Sequence, residues 1–272
     1  MPPHGSLNRR SEPQISQISQ IQKRTTETPR TLSQAVNTDA LPTPDWQTED
    51  GSVVLYNADC LDILPQLPEW GIPLIHTDPP FGVGNFVQTT GRIMGRGSNH
   101  GEKVTWNDGT PPAEAFSEMR RVSKHRIIWG ANFFNCFEDR GGAIVWLKDQ
   151  KMPNFSKADI ASCTHYQKTE IVRVPWTNFV VTHKAESDHP CERPVELYKW
   201  CIEYLPESGH LVADPFMGSG TTGVACVKLG RSFIGIEKEP KYFDIAVKRI
   251  QQAREDIGLF LQSEPETSPQ SA

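Results

Sequence analysis

The sequence predicts an α/β fold in which a mostly parallel sheet is covered by crossover helices. Short apolar runs alternate with amphipathic stretches over roughly residues 46–256, and this alternation is typical of βα units rather than of all-β or all-helical folds. Two of the apolar runs end in an acid followed by proline, DPPF at 78–81 and DPFMGSG at 214–220. Open α/β sheets bind ligands at the carboxyl ends of their strands, so these two segments predict a functional site.

The predicted strands are apolar runs rich in Val, Ile and aromatic residues that are bounded by polar or turn residues. They span 53–57, 72–77, 126–130, 143–147, 170–174, 210–214 and 232–237. Apolar residues at helical spacing predict helices at 112–124, 193–205, 219–229 and 240–254. The third of these begins at a Gly/Ser/Thr turn and the fourth follows Glu-Pro, both of which are helix-start signals.

Composition predicts one main domain with two tails. The chain has 272 residues, 37% of them hydrophobic and 22% charged, which is enough for one substantial core. Residues 1–45 are rich in Ser, Gln, Thr and Pro and predict a disordered arm. We therefore expect a domain at 46–256 and a flexible tail at 257–272.

Several classes of protein are disfavoured. No apolar run approaches a membrane span and the start of the chain lacks a secretion signal, so we expect a cytoplasmic protein. The cysteines form no CxxC pair, which favours free thiols over a metal site. A net charge of −5 argues against a wholly basic nucleic-acid coat, but phosphate binding needs only a local basic face.

The segment VADPFMGSGTTG, residues 212–223, predicts a small-molecule site. Glycines between a strand and a helix let the backbone approach a ligand, and free amide groups at the helix start attract negative groups. The next predicted strand ends in Glu237, where nucleotide-binding folds place an acid on ribose hydroxyls. The pair favours an adenosine-bearing cofactor. A nicotinamide dehydrogenase is disfavoured because the turn is not GxGxxG.

DPPF at 78–81 followed by DPFMGSGTT at 214–222 resembles the amino-group DNA methyltransferases that use S-adenosylmethionine. More narrowly, it is similar to their circularly permuted branch, in which the catalytic motif precedes the cofactor motif, and to members found in phages and prophages. The resemblance extends over about residues 52–250. It implies a doubly wound, mostly parallel, Rossmann-like methyltransferase sheet with a terminal antiparallel strand, in which 210–214, 232–237, 53–57 and 72–77 are the first four strands of the parent order.

The resemblance also implies which residues bind the cofactor. Asp59 falls where the family places an acid near the adenine amino group, although a helix cap is the ordinary role for such a residue. The element HPCERP at 189–194 departs from the more usual HPTQKP, which leaves the contacts of Cys191 and Arg193 open. The complete expected set is Asp59, Cys60, His189, Arg193, Asp214, Pro215, Phe216, Gly218, Ser219, Gly220, Thr221, Thr222 and Glu237.

The catalytic residues implied by the resemblance are Asp78, Pro79, Pro80 and Phe81. The Asp78 side chain and the Pro79 carbonyl would accept hydrogen bonds from the target amine, the two prolines would fix their direction, and Phe81 would stack on a flipped base. The family usually has Tyr in place of Phe81, so an aromatic face is kept without the hydroxyl. Asp as the first letter is typical of adenine-directed members.

Basic segments predict contacts with double-stranded DNA. The glycine-rich loop after DPPF and the region after 147 carry cations with few acids nearby. Residues 150–188 leave room only for a small recognition insert, so a second subunit in a homodimer is a further source of contacts. The candidate DNA-binding residues are Arg92, Arg96, Lys103, Lys148 and Lys151, each of which could equally be a solvated charge.

Two alternative functions remain open from the sequence. Cytosine N4 is the other target of the same chemistry. A catalytically silent subunit that binds cofactor or DNA is an alternative of a different class, although Asp78 and the glycine turn are both intact. The sequence does not indicate a recognition site or a partner nuclease.

Overall fold

The structure is a computed structural model that describes residues 31–32, 40–82, 109–137, 141–148, 156–175, 193–204 and 210–263. The strands are β1 (Trp46–Gln47), β2 (Val53–Tyr56), β3 (Ile72–Thr77), β4 (Ser123–Trp129), β5 (Gly142–Leu147), β6 (Ala158–Cys163), β7 (Thr169–Arg173), β8 (Leu211–Asp214) and β9 (Ser232–Ile236). The helices are α1 (Cys60–Ile63), α2 (Ala113–Val122), α3 (Ala131–Phe134), α4 (Val195–Glu203), α5 (Thr221–Lys228) and α6 (Pro240–Ser263), with a 3₁₀ turn at Leu64–Gln66.

These strands form a nine-stranded sheet in the order β1-β2-β9-β8-β3-β4-β6-β5-β7. Five neighbouring strands of this sheet, β2, β9, β8, β3 and β4, are all parallel to one another. The strand β6 is antiparallel to both of its neighbours, and β1 is an antiparallel edge strand. The α/β prediction is confirmed, and the four strands expected to form the ligand-binding half of the sheet lie side by side as β2, β9, β8 and β3.

All the predicted strands and the four long helices are present, with ends that differ by at most three residues except at α6, which ends at Ser263 rather than at 254. The strand β4 begins at Ser123, directly after the last residue of α2, so no loop separates this helix from its strand. The sequence analysis did not predict β6. Its letters are ADIASC, and Ala, Asp and Ser have low strand propensity. Pairing on both sides, with β4 and β5, makes this segment a strand.

Both faces of the sheet are buried over β2, β9, β8 and β3, as a doubly wound fold requires. Alternate residues of β2 enter different clusters: Val53 and Leu55 pack with α4, α5 and α6, whereas Val54 and Tyr56 pack with α1 and α2. This alternation follows from the two-residue period of a strand. Because helices cover both faces of these four strands, a ligand can reach them only at the ends of the strands.

Three segments bear on the predicted domain limits. Leu32, within the predicted arm, is 5% exposed and packs in the cluster with α1 and α2, and its N–H donates to the Gly51 carbonyl at 2.9 Å. Residues 158–173, inside the range predicted as an insert, supply β6 and β7 of the sheet. The helix α6 continues to Ser263, into the range predicted as a flexible tail. No helix in the described ranges has the length and apolar character of a membrane span.

Candidate active site

The carboxyl ends of β3 and β8 bring the DPPF segment beside the glycine turn. The two strands are hydrogen-bonded neighbours, with Leu74 opposite Val212 and Ile75 opposite Ala213. Thr77, the residue before Asp78, donates its hydroxyl proton to the Asp214 carboxylate at 2.6 Å. Segments more than 130 residues apart in the chain therefore meet at one edge of the sheet.

The carboxylate of Asp78 is held by a two-point ion pair. Arg193 donates from Nε to Oδ2 at 2.6 Å and from Nη2 to Oδ1 at 2.9 Å. Arg193 lies just before α4, whose N-terminal cap is Pro194. Planar guanidinium and carboxylate groups paired in this way fix each other's orientation. Of the cofactor residues predicted in this element, Arg193 thus contacts the carboxylate of Asp78, which is predicted to be catalytic, whereas His189 lies outside the described residues.

Arg193 also joins Asp78 to a second ion pair. Its Nη1 donates to Asp159 of β6, and Asp159 pairs with Lys148 Nζ at 2.7 Å. The guanidinium carbon lies 4.8 Å from the centroid of the Trp129 ring. We call Asp78, Arg193, Asp159 and Lys148 the four-charge cluster. It contains two positive and two negative groups, so its formal charge is balanced.

Burial and ion pairing shift the pKa values of Arg193, Asp159 and Lys148. The Arg193 side chain is 6% exposed, and burial alone would lower its pKa, but Asp78 and Asp159 outweigh this and hold the pKa well above its ordinary value. Burial would raise the pKa of Asp159, yet Arg193 and Lys148 keep it below its usual range. For Lys148, burial prevails over the pull of Asp159 and lowers the pKa. Lys148, predicted as a DNA contact, is therefore a 12% exposed member of an internal ion pair.

Phe81 lies in an aromatic group at the same edge. Its ring stacks on Phe133 of α3 with centroids 4.8 Å apart and planes 10° from parallel, and Phe134 lies 5.9 Å away. A Cβ at Gly130 would overlap the Phe81 ring, and Gly130 has φ +75°. Phe133 remains 49% exposed. The site thus offers a second aromatic face, that of Phe133, which the sequence analysis did not single out.

The glycine turn between β8 and α5 is organised by Asp214. Its carboxylate is 3% exposed and accepts hydrogen bonds from the Thr77 hydroxyl, the Thr222 hydroxyl at 2.5 Å and the Phe216 N–H at 3.0 Å. Burial raises the pKa of Asp214 to about 6, although these hydrogen bonds oppose the rise. Asp214 and Thr222 therefore shape the turn from the inside rather than facing solvent.

The two glycines of the turn have different surroundings. Gly218 has φ +52°, and nothing lies within 4 Å of the place where a Cβ would stand. Gly220 has φ +83°, and a Cβ there would lie 2.8 Å from the Cβ of Ala246 in α6. Gly218 thus borders open space at the strand end, whereas Gly220 allows close packing of the turn on α6.

Arg249 of α6 supports the same turn. Its Nη1 donates to the Ser219 carbonyl at 2.6 Å, to the Ser219 hydroxyl at 2.8 Å and to the Thr221 hydroxyl at 3.2 Å. The sequence analysis did not identify Arg249, because nothing local indicates which turn a helical arginine will reach. The side chains of Ser219 and Thr221, both predicted to bind the cofactor, therefore accept hydrogen bonds from Arg249.

Glu237 at the end of β9 lies beside the turn. It accepts hydrogen bonds from the N–H groups of Gly218 at 2.9 Å and Glu239 at 2.8 Å. Burial raises its pKa to about 7, although both hydrogen bonds lower it. Each carboxylate oxygen keeps a lone pair, so Glu237 is able to accept hydrogen bonds from ligand hydroxyl groups as well.

The remaining predicted cofactor residues lie near β2 and the turn. Asp59 caps α1 by accepting from the Leu61 N–H at 3.0 Å and also pairs with Lys238 at 3.0 Å. Cys60 is 6% exposed, and burial raises the pKa of its thiol to about 12. Pro215 is buried and Phe216 is half-buried. Asp59 thus has the helix-cap role that the sequence analysis weighed beside adenine binding.

A buried hydrogen-bond chain connects the two halves of the site. The Trp129 indole donates to His76 Nε2 at 3.2 Å, and His76 Nδ1 lies 3.4 Å from the Thr222 hydroxyl, which donates to Asp214. Burial, and secondarily Arg193, lower the pKa of His76 to about 3. The imidazole is therefore neutral. Because an indole N–H can only donate, the His76 proton is on Nδ1 and points to Thr222.

The described residues include most of the predicted site but, of its predicted DNA contacts, only Lys148. The DPPF segment, the glycine turn, Glu237 and Arg193 all lie at the carboxyl edge of the sheet. Arg92, Arg96, Lys103, Lys151 and His189 lie outside the described residues. Asp159, Arg249, His76 and Phe133 are the site residues that the sequence analysis missed. None belongs to a short motif, and only the sheet brings them together.

Comparison with known proteins gives consistent results. A family model described as "DNA methylase" matches residues 148–248. The Type II methyltransferase M.HinfI of Haemophilus influenzae is 26% identical over 250 residues, which cover 74% of this chain and 68% of that protein. The Type II methyltransferase M2.MboI of Moraxella bovis is 24% identical over 254 residues, covering 77% and 91%.

A solved structure supports the fold. The PvuII DNA methyltransferase (cytosine-N4-specific) is 16% identical, has a TM-score of 0.52 and covers 81% of this chain and 96% of its own. At this identity the likeness concerns the fold. The family-model match and the two relatives support the amino-group DNA methyltransferase family, to which this chain is similar, and the structure places the two motifs at adjacent strand ends.

Proposed function

We propose that this protein transfers a methyl group from S-adenosylmethionine to the exocyclic amino group of a base in double-stranded DNA, with adenine N6 as the target. The observation that carries the proposal is the hydrogen bond from Thr77 to Asp214. It joins the strand end that bears Asp78 to the strand end that bears the glycine turn. A donor held at the turn and an amine held at Asp78 would therefore be neighbours.

The residues around the turn fit an adenosyl group. Gly218 borders open space, α5 begins at Thr221, and Glu237 has free lone pairs beside the turn. A carboxylate in this position suits ribose hydroxyls, and the free N–H groups at a helix start suit a negative group. When bound, S-adenosylmethionine would supply a methyl group on a sulfonium, which the amine attacks directly.

Asp78 would activate the target amine. The nitrogen lone pair of an adenine or cytosine amine is delocalised into the ring, so hydrogen-bond acceptors on its protons favour a more tetrahedral nitrogen. The Asp78 side chain is 23% exposed, so part of the carboxylate faces outward. Phe81 and Phe133 supply aromatic surface for a base that has left the duplex.

Adenine is the proposed base because the motif begins with Asp, which is typical of adenine-directed members of the family it resembles. Cytosine N4 is the alternative target, and a silent binding subunit is the alternative of another class. Contacts of Arg92, Arg96, Lys103 and Lys151 with DNA phosphates, and a homodimer that shares the recognition of DNA, remain predictions.

The direct test is to incubate purified protein with unmethylated DNA and methyl-labelled donor and to digest the product to nucleosides. We expect label in N6-methyladenine. Label in N4-methylcytosine would support the alternative target. Cofactor binding without any label in DNA would support the silent subunit.

The matched variant is Asp78→Ala. Loss of an acceptor for the transition state costs about 100-fold or more in kcat, whereas the turn that holds the cofactor is unchanged. We expect cofactor affinity within about threefold of wild type in calorimetry, since Asp78 contacts Arg193 and not the turn. Retained turnover in this variant would contradict the assigned role.

A further inference from the structure

Asp159 lies in the active site although it belongs to none of the sequence motifs. It stands near the start of β6, its side chain is 18% exposed, and it contacts both Arg193 and Lys148. Its contact with Arg193 is one of three hydrogen-bonded points on the guanidinium. A carboxylate buried between two cations beside a catalytic acid calls for an explanation.

The three contacts leave Arg193 no freedom to turn. Nε and Nη2 face Asp78, Nη1 faces Asp159, and the flat face of the group lies over Trp129. Removing Asp159 would leave the third nitrogen without this acceptor. It would also leave two cations with one carboxylate in a site where Arg193 is only 6% exposed.

Arg193 in turn decides where the free lone pairs of Asp78 point. The two-point pair uses one lone pair on each carboxylate oxygen. The lone pairs that remain are those on the side facing away from Arg193, and their direction is fixed by the plane of the guanidinium. Asp159 is therefore linked to the direction of the hydrogen bond that a target amine could donate.

We propose that Asp159 is a positioning residue for methyl transfer: by holding Arg193 it fixes the direction in which Asp78 accepts a hydrogen bond from the target amine. The inference rests on the proposed function. It requires no contact between Asp159 and the substrate. Its effect falls on the chemical step, because small misplacements of an acceptor lower the rate more than they lower binding.

The test compares Asp159→Ala, Asp159→Asn and Arg193→Lys. We expect Asp159→Ala to lower kcat at least about tenfold, while the KM values for DNA and cofactor stay within about threefold. Asp159→Asn keeps an oxygen that can accept from Arg193 and should recover part of the rate. Arg193→Lys keeps the positive charge but cannot make a two-point pair, so its kcat should fall like that of Asp159→Ala.

Rates are expressed per cofactor-binding site, so a variant that is partly unfolded is not counted as slow. Asp50→Asn is the matched control. Asp50 forms an ion pair with Arg254, with 3.1 Å between the two side chains, and this pair lies away from the site. The Asp50→Asn variant should lose stability and keep its kcat per binding site. If Asp159→Ala fails to fold, the ratio of kcat in Asp159→Asn and wild type decides the matter.

If the wild type is active and the Asp159 variants have the same kcat, the inference about Asp159 is wrong and the proposed function stands. The same holds if the activity of these variants falls only in step with their cofactor-binding sites, which is the behaviour of a purely structural residue. A wild type that binds cofactor and methylates no base overturns the proposed function, and the inference with it.

Discussion

At the level of single residues, Glu237 carries a measurable signature. Its pKa is raised to about 7 by burial, from a value of 4.5 for a free side chain, so the fold favours the neutral form. This contribution to stability is complete below pH 4.5 and is lost as the pH rises through 7. Ribose hydroxyls, in contrast, donate best to the ionised form. With Glu237 as the proposed ligand of the ribose, we expect folding and cofactor binding to respond to pH in opposite directions at this one side chain.

We predict that Glu237→Gln flattens both responses. The wild type should lose more unfolding free energy than the variant between pH 5 and pH 8, by roughly 1 kcal/mol per pH unit at most. The wild-type affinity for cofactor should weaken as the pH falls below 7, whereas the variant should bind weakly at every pH. Urea unfolding and calorimetry across this range measure the two effects.

The neighbour Glu239 provides the control. Its side chain is exposed and its backbone N–H, not its carboxylate, contacts Glu237. Glu239→Gln keeps the backbone contact and removes only a minor charge that raises the pKa of Glu237, so both pH profiles should shift only slightly from those of wild type. Identical profiles for wild type and Glu237→Gln would mean that Glu237 neither resists ionisation nor binds the ribose.

At the level of elements, the turn between β8 and α5 contains one glycine that is needed for packing, Gly220, and one that borders open space, Gly218. Gly220→Ala places a methyl group 2.8 Å from Ala246 in a left-handed conformation, which should cost about 2 kcal/mol or more of stability. Gly218→Ala meets no neighbour, so the conformational cost of about 1 kcal/mol should stand alone. The open space at Gly218 is where the ligand is proposed to lie.

We therefore predict that the two variants separate stability from affinity. Gly220→Ala should show the larger fall in urea midpoint. Gly218→Ala should show the larger rise in cofactor Kd relative to its loss of stability. If the ratio of lost cofactor affinity to lost stability is the same in both variants, the space in front of Gly218 is not the cofactor site.

The elements also show what the sequence could and could not predict. Strands β2, β3, β8 and β9 were predictable because each is an apolar run that ends in a polar residue at the functional edge. The strand β6 was not, because its few apolar residues become strand only through pairing on both sides. Since β6 carries Asp159, missing the strand also meant missing the partner of Arg193.

The same distinction applies to the site. Asp78, Glu237 and the glycine turn were predictable because residues next to them in the sequence indicate where a strand ends and where the chain turns. The pairing of Asp78 with Arg193 spans 115 positions and that of Arg249 with Ser219 spans 30. Such contacts depend on which helix crosses which strand end, and a single sequence carries no local signal for that.

At the level of the whole molecule, Leu32 is the described residue of the N-terminal region that is buried in the core, and Leu41 packs against the same cluster. Leu32 is 5% exposed, and its backbone pairs with Gly51 next to β2. We predict that deleting residues 1–30 leaves the urea midpoint nearly unchanged. Leu32→Ala in the full chain should cost about 2 kcal/mol, because the cavity forms in a packed cluster.

Leu259 on α6 is the matched control, since it is a leucine that is 66% exposed. Leu259→Ala should leave unfolding within about 0.5 kcal/mol of wild type. An unaffected Leu32→Ala would show that the contact of Leu32 with the domain adds nothing to its stability. A large effect of deleting residues 1–30 would show that further contacts of that region matter.

The order of strands in the sheet has a consequence for biosynthesis. The strands β2 and β3 follow each other in the chain, but β9 and β8 lie between them in the sheet. A ribosome therefore releases both flanks of the sheet long before the two strands that join them. Until those strands emerge, the nascent polypeptide exposes two unpaired strand edges, which attract chaperones and invite aggregation. The glycine turn and Asp78 thus become neighbours only once Asp214, 137 residues after Thr77, has been synthesised.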